Sequence, residues 1–261
     1  MIESCHYAVL LPTPSCRKAV KQHLPDLLDK YSPELIIANG ENAAGGFGIT
    51  PNIAEELLGM GIHVLTSGNH IWDKKEIYGY IDKNDRLLRP ANFPPGAPGA
   101  GSIIVRAENG APVGVLNLMG RVYLFNIDCP FRAAKEEVKK LKEAGAQIII
   151  IDMHAEATSE KIALARYLDG TVTAVLGTHT HVQTADERVL ANGTAFISDV
   201  GMTGPHDSVI GVTAELAIER FLKQMPMKFD TAKGPGTLQA AVVTADEKTG
   251  RATKIERLSL V

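Results

Sequence analysis

The chain has 261 residues, 45% of them hydrophobic and 22% charged, which is enough apolar material to bury a large core and excludes a disordered, collagenous or disulfide-stapled chain. A formal charge of −3 argues against a protein that holds nucleic acid through a basic field, so any phosphate it handles must be attracted by something other than net charge. Cys5, Cys16 and Cys129 are odd in number and lack metal-ligand spacing, and read as free thiols of a reducing, cytoplasmic environment.

In chain order, Ala8-Val9-Leu10-Leu11 leading to Cys16 has a faint look of an export signal. No basic residue precedes it, and Pro12 and Pro14 interrupt it early. No run of 18 apolar residues follows anywhere, so no membrane-spanning helix is expected. Apolar runs rich in Ile and Val then alternate with amphipathic segments. Strands are expected over 35–39, 63–67, 102–105, 113–118, 148–152, 173–177, 194–198, 240–244 and 253–258, and helices over 17–30, 51–59, 74–81, 132–144, 159–168 and 213–224. The Pro- and Gly-rich stretch 90–101 is too short for a linker and reads as a surface loop. Beyond Ala191 the strands lose their intervening helices except the one near residue 215, which suggests an antiparallel portion. The whole chain, 1–261, reads as one α/β domain of two packed sheets flanked by helices, without internal repeats.

The chemistry gathers just after strands. His70 follows Ser67-Gly68-Asn69, His154 follows Asp152-Met153, and His179 and His181 fall in Gly177-Thr178-His179-Thr180-His181, while Glu41 and Asn42 follow the strand 35–39. In open α/β sheets the carboxyl ends of strands face the ligand crevice, so side chains from distant segments converge there. A single histidine at such a place is more often a hydrogen-bonded loop residue than a ligand; four together with a carboxylate point to a transition-metal site. Glu41 has two oxygens with which to bridge two ions, the arrangement of metal-dependent phosphatases and nucleases. His6, His23 and His63 read as surface or packing residues. Gly45-Gly46-Phe47-Gly48 lacks the Lys-Ser or Lys-Thr of a Walker loop and reads as a tight turn, and Trp72 reads as packing.

Five segments carry a specific resemblance: 39–44 (Asn-Gly-Glu-Asn-Ala-Ala), 68–73 (Gly-Asn-His-Ile-Trp-Asp), 89–94 (Arg-Pro-Ala-Asn-Phe-Pro), 154–160 (His-Ala-Glu-Ala-Thr-Ser-Glu) and 177–186 (Gly-Thr-His-Thr-His-Val-Gln-Thr-Ala-Asp), with 199–205 in support. From about Arg17 onward the sequence closely resembles the YmdB-like metallophosphoesterases. The resemblance implies the calcineurin-like four-layer αββα sandwich, two mixed sheets flanked by helices. It implies a metal-dependent phosphodiesterase that hydrolyses small phosphodiesters, 2′,3′-cyclic or 3′,5′-cyclic nucleotides, by a metal-bound hydroxide at a dinuclear site of iron, or alternatively manganese. On matching positions Glu41 would bridge the ions, Asn42 and His181 would hold the first, Asn69, His154 and His179 the second, and His70 would donate the proton to the leaving oxygen. The partners implied are the small phosphodiester alone, with no stable nucleic-acid or membrane association, and the resemblance is compatible with a homo-oligomer. Substrate contacts are expected from the loops 89–101 and 203–206.

Residues 1–16 depart from the family pattern. Family members carry there a strand ending in Gly-Asp whose Asp binds the first metal, and ungapped alignment back from Leu24-Pro25 puts Leu10 at that Asp. Tyr7 to Leu11 can still form the first strand. A frameshifted or wrongly joined start, real divergence, and replacement by His6 or a water all account for the change. A leucine cannot coordinate metal, so the expectation is a weakened first metal position beside a better preserved second one, with activity impaired accordingly. The alternative is a degenerate metal-binding regulatory protein with little or no turnover.

Overall fold

In the computed structural model, residues 4–10, 16–228 and 230–261 are described. Of the export-like pattern from Ala8 to Cys16, residues 11–15 and the side chains of Val9, Leu10 and Cys16 lie outside them. Among the described residues, eleven strands form two sheets. The first has the order β11 (Ala252–Leu260), β10 (Leu238–Asp246), β1 (Ser4–Leu10), β2 (Leu35–Asn39), β3 (Val64–Thr66). The second has the order β4 (Ser102–Arg106), β5 (Pro112–Met119), β6 (Ile148–His154), β7 (Ala174–Thr178), β9 (Ala195–Ile197), β8 (Arg188–Val189).

Both sheets are mixed. β1, β2 and β3 run parallel, as do β5, β6, β7 and β9, while β10 runs antiparallel to both β1 and β11, and β4 and β8 are antiparallel edges. The antiparallel portion expected after Ala191 is therefore only partly so. β9 joins β7 in parallel, because the chain from β7 turns back through the short β8 before entering it. The first strand forms despite its unusual sequence: Tyr7 and Ala8 are wholly buried, and Leu10 lies in register with Ala38 of β2.

Alternation along the strands sorts apolar side chains into three cores. Tyr7, Leu35, Ile37 and Val64 of the first sheet meet Val113, Val115, Ile148, Ile150 and Leu176 of the second. The outward residues Ile36, Ala38, Leu65 and Val242 pack under α1 (Cys16–Tyr31) and α2 (Pro51–Gly59), whose Val20, Leu24, Leu27, Ala54 and Leu57 form their inner stripes. On the other side Leu116, Leu118, Ile149, Ile151 and Val175 are covered by α4 (Pro130–Glu143) and α5 (Thr158–Tyr167) through Val138, Leu141 and Leu164. This is the four-layer αββα sandwich. Each leucine of these stripes, truncated to alanine, is expected to cost about 2–5 kcal/mol. The short α3 (Tyr78–Ile81) follows a single 3-10 turn where one longer helix was expected. Trp72 packs edge-on against Tyr78 and Phe93 beside it, as the packing reading requires.

The carboxyl ends of β2 and β3 in one sheet and of β6 and β7 in the other lie at the same edge of the sandwich. Polar bonds lace the two sheets together there, beneath everything that follows. The buried Asp152 of β6 accepts from Asn39 Nδ2 at 2.8 Å and from Thr66 Oγ1 at 2.5 Å, and Asn117 Oδ1 accepts from the Ser67 amide at 3.0 Å.

Candidate metal centre

Glu41 and Asn42 leave β2, Asn69 and His70 leave β3, His154 ends β6, and His179 and His181 leave β7. Four of these meet. His154 Nε2 lies 2.8 Å from Asn69 Oδ1, 3.1 Å from Glu41 Oε2 and 3.1 Å from His179 Nδ1. Glu41 and His154 are fully buried. The approach of Asn69 depends on Gly68, where a Cβ would stand 2.3 Å from the His154 ring, so no other residue lets the β3 loop pass so close.

The protons at this meeting can be assigned from the backs of the rings. Thr178 Oγ1 donates to Asp152 Oδ1 at 2.7 Å and therefore accepts from His154 Nδ1 at 3.1 Å, which leaves His154 Nε2 with a bare lone pair. His179 Nε2 lies 2.9 Å from Glu156 Oε2, so that nitrogen carries the proton and Nδ1 faces inward unprotonated. Burial pushes His179 down to about 3, in keeping with a neutral imidazole. Burial opposes ionisation of Glu41, while the amide of His70, bonded to its carboxylate, favours it. Glu41 Oε2 is buried without a hydrogen-bond donor among the described residues. Four lone pairs, from two imidazoles, an amide and a carboxylate, thus converge on one point, an arrangement that repels itself unless a cation sits among them.

Asn42 and His181 form a second pair, Asn42 Nδ2 donating to His181 Nε2 at 3.0 Å. Burial lowers His181 as well. Glu41 ties the neighbourhood to His70, whose amide donates to Oε1 at 2.8 Å. The His70 ring stands half-buried at the rim with Nδ1 donating to Asp73 Oδ2 at 2.8 Å, which turns Nε2 outward. A cleft of about 400 Å³ opens over the group and touches Asn42, His70, His179 and His181.

Several contributors escaped the reading of the sequence. His179 and His181 both have left-handed backbones, with φ of 102° and 65°, each costing roughly 1–3 kcal/mol in a residue with a Cβ. The residue between them is clamped: Thr180 donates through its amide (3.0 Å) and its hydroxyl (2.7 Å) to Asp199 Oδ2, and Asp199 is itself buried against Lys161 Nζ at 3.2 Å. Asp199 follows β9 as the ligand candidates follow their strands, which was the available signal. Asp152 and Thr178 lie inside strands and give none.

Some expectations fail. His6 cannot replace a ligand at position 10, because it sits level with Glu34, at the opposite end of the sheet, bonded to Thr244 and set against Tyr31. The loops 89–101 and 203–206 contribute nothing to the lining of the cleft. Arg89 spends its guanidinium on the carbonyls of Pro90, Ala97 and Pro98, and Thr203 is buried. The lining comes instead from 45–47, 210–212 and 230–231. His23 and His63 are packing residues as expected, bonded to the Gly236 carbonyl and the Ile36 amide, and Cys5 and Cys129 are free. No helix among the described residues is long and apolar enough to cross a membrane.

The family model for YmdB-like proteins matches residues 13–258. The chain belongs to the YmdB-like family. It is 50% identical over 242 residues to the 2′,3′-cyclic-nucleotide 2′-phosphodiesterase of Bacillus subtilis, covering 93% of this chain and 91% of that protein. Among solved structures, a phosphatase from Mycoplasma pneumoniae superposes with a TM-score of 0.92 at 33% identity, over 100% of this chain and 95% of that one. A hypothetical protein from Thermus thermophilus gives 0.88 at 39% identity, over 97% and 98% of the two chains. The YmdB-like match begins at residue 13, so β1 lies ahead of it. The metallophosphoesterase fold of this family implies divalent metal ions, and the donor set around His154 suits one.

Proposed function

We propose that this YmdB-like chain is a metal-dependent phosphodiesterase acting on small phosphodiesters, with 2′,3′-cyclic nucleotides as the first substrate class to test and 3′,5′-cyclic nucleotides as the second. The convergence of Glu41 Oε2, Asn69 Oδ1, His154 Nε2 and His179 Nδ1 carries the reading. These four would hold one ion; Asn42 and His181, with Glu41 reaching across, would hold the other. Iron is the first candidate and manganese the second, since imidazole and oxygen donors without thiolate suit both. When bound, such ions neutralise the phosphoryl oxygens and activate water.

The chain's own groups do the rest. Asp73 orients His70 so that Nε2 faces the cleft; as an imidazolium, the ring would give its Nε2 proton to the departing ribose oxygen and keep its Nδ1 proton on Asp73. The partners behind the rings, buried Thr178 for His154 and the exposed Glu156 for His179, favour the tautomer that turns a lone pair inward. Protein purified without chelator should contain metal by elemental analysis and hydrolyse adenosine 2′,3′-cyclic phosphate and bis-para-nitrophenyl phosphate, and should lose both activities to a chelator. Absence of metal together with absence of hydrolysis would overturn the reading.

A second reading is favoured by one observation. Leu10 closes β1 in register with Ala38, three residues before Glu41 on the adjacent strand, where a carboxylate would complete the first position. On that reading one ion is held firmly, the first position is weak and turnover is impaired. One ion per chain with slow hydrolysis would support it; two tightly held ions would exclude it.

A further inference from the structure

The Gly45–Gly48 turn is not explained by packing. Gly45, Gly46 and Gly48 all take positive φ, at 72°, 99° and 74°, and a Cβ on Gly48 would meet the His70 carbonyl at 3.1 Å and Lys74 Cγ at 3.0 Å. The turn is therefore pressed onto the His70 segment by residues that only glycine accommodates. What it displays is Phe47, 45% exposed, lining the cleft, with its ring centroid 4.9 Å from that of His70 at an interplanar angle of 69°. An exposed phenylalanine gives the fold little. One ring away from His70 in the same cleft, it offers a flat apolar face beside the candidate centre. Ile210 and Val212 add apolar lining to the same cleft, whose volume of about 400 Å³ lies in the range of small-molecule sites.

We propose that Phe47 is the stacking platform for the base of a nucleotide substrate, so that the Gly45–Gly48 turn selects nucleotides over phosphodiesters that lack a base. The proposal rests on the phosphodiesterase reading for its substrate and adds the residue that recognises it. Stacking requires only a flat π-face, so the platform favours purines over pyrimidines by ring area without reading any base edge.

The test uses the holoprotein as wild type, Phe47→Ala and Phe47→Tyr, the last keeping the ring. Calorimetry measures affinity for adenosine 3′-phosphate and, as the probe without a base, inorganic phosphate; kinetics on adenosine 2′,3′-cyclic phosphate are run in parallel. The expected result is about tenfold weaker adenosine 3′-phosphate binding and a similarly raised KM in Phe47→Ala, with near wild-type values in Phe47→Tyr and phosphate affinity following neither change. Equal nucleotide affinity in all three proteins overturns the proposal. So does no nucleotide binding by the wild type, or an equal loss of phosphate affinity in Phe47→Ala, which would make Phe47 a support of the metal centre. The two readings fail separately. Hydrolysis of bis-para-nitrophenyl phosphate without a Phe47 effect on nucleotides leaves the phosphodiesterase standing and removes the platform; the expected binding pattern without hydrolysis does the reverse.

Discussion

The two halves of the candidate centre are built to different standards. Around His154, three of the four ligand candidates have a partner behind them: Thr178 and Asp152 behind His154, Glu156 behind His179, and the His70 amide on Glu41. Around His181, the Asn42 amide donates to Nε2 at 3.0 Å, and the sequence has leucine at position 10, the last residue of β1. The contrast teaches that a metal position is made by what fixes the donors as much as by the donors. A lone pair aimed by a hydrogen bond at the far side of its ring is available without reorganisation.

The strongest way to break the comparison is at its better half. His154→Ala removes the nitrogen on which Glu41, Asn69 and His179 converge, and should abolish both bound metal and phosphodiester hydrolysis, read by elemental analysis and turnover on one sample. Retention of a full metal complement would show that the cluster is not the principal site. The next largest effect runs in the opposite direction. Leu10→Asp supplies a carboxylate at the poorer half and should raise the metal content from about one ion to two and turnover by about a hundredfold, equivalent to ~2.7 kcal/mol of barrier. Unchanged metal content would mean that the first position is already filled by some other group.

Much of this contrast could be read from the sequence, and the reason is geometric. Glu41, Asn42, Asn69, His70, His154, His179 and His181 all sit within about four residues of a strand end, so locating the strands by their Ile and Val runs located the residues in space. The strands themselves were legible because β2, β6 and β7 are buried on both faces. Residues that act from within a strand were not legible. Asp152 in Ile148–His154 and Thr178 at the close of β7 follow the inward–outward alternation like any apolar residue, and only the pairing of the sheets shows that they lie behind His154. The pairing of Lys161 with Asp199 links a helix to a loop 38 residues on, and no local pattern encodes it. The loop contacts were misjudged because Pro- and Gly-rich composition marks a loop without saying which edge of the sheet it borders.

Asp152 sharpens the comparison at an intermediate magnitude. Burial raises its carboxyl above the usual range, against the bonds from Thr66, Thr178 and Asn39, so the group is held in place at a cost. Asp152→Asn weakens the anchor of Thr178, and with it the tautomer of His154. Metal affinity should fall about 10–100-fold, the range typical of such outer partners. Thr178→Ser keeps the hydroxyl and should stay near wild type, whereas Thr178→Val should behave like Asp152→Asn. If all three variants bind metal equally well, the relay does not set the tautomer.

The smallest effect on turnover, and a large one on stability, is expected at Lys161. Its ammonium is buried 3.2 Å from Asp199 Oδ2, the same oxygen that holds Thr180 between the two strained histidines. Lys161→Met leaves the carboxylate buried without its counter-ion, at a cost of about 3–5 kcal/mol. At roughly 2–4 °C per kcal/mol for a chain of this size, the melting temperature should drop by about 6–20 °C. Asp199 keeps its bonds from the Thr180 amide, the Thr180 hydroxyl and the Gly201 amide, so the His179–His181 turn should persist below the new transition and turnover at low temperature should fall no more than about tenfold. Asp199→Ala removes the clamp itself and frees φ at His179 and His181, so its loss of turnover should exceed that of Lys161→Met. The reverse order would place the hold on the histidines in the charge pair, with the three hydrogen bonds secondary to it.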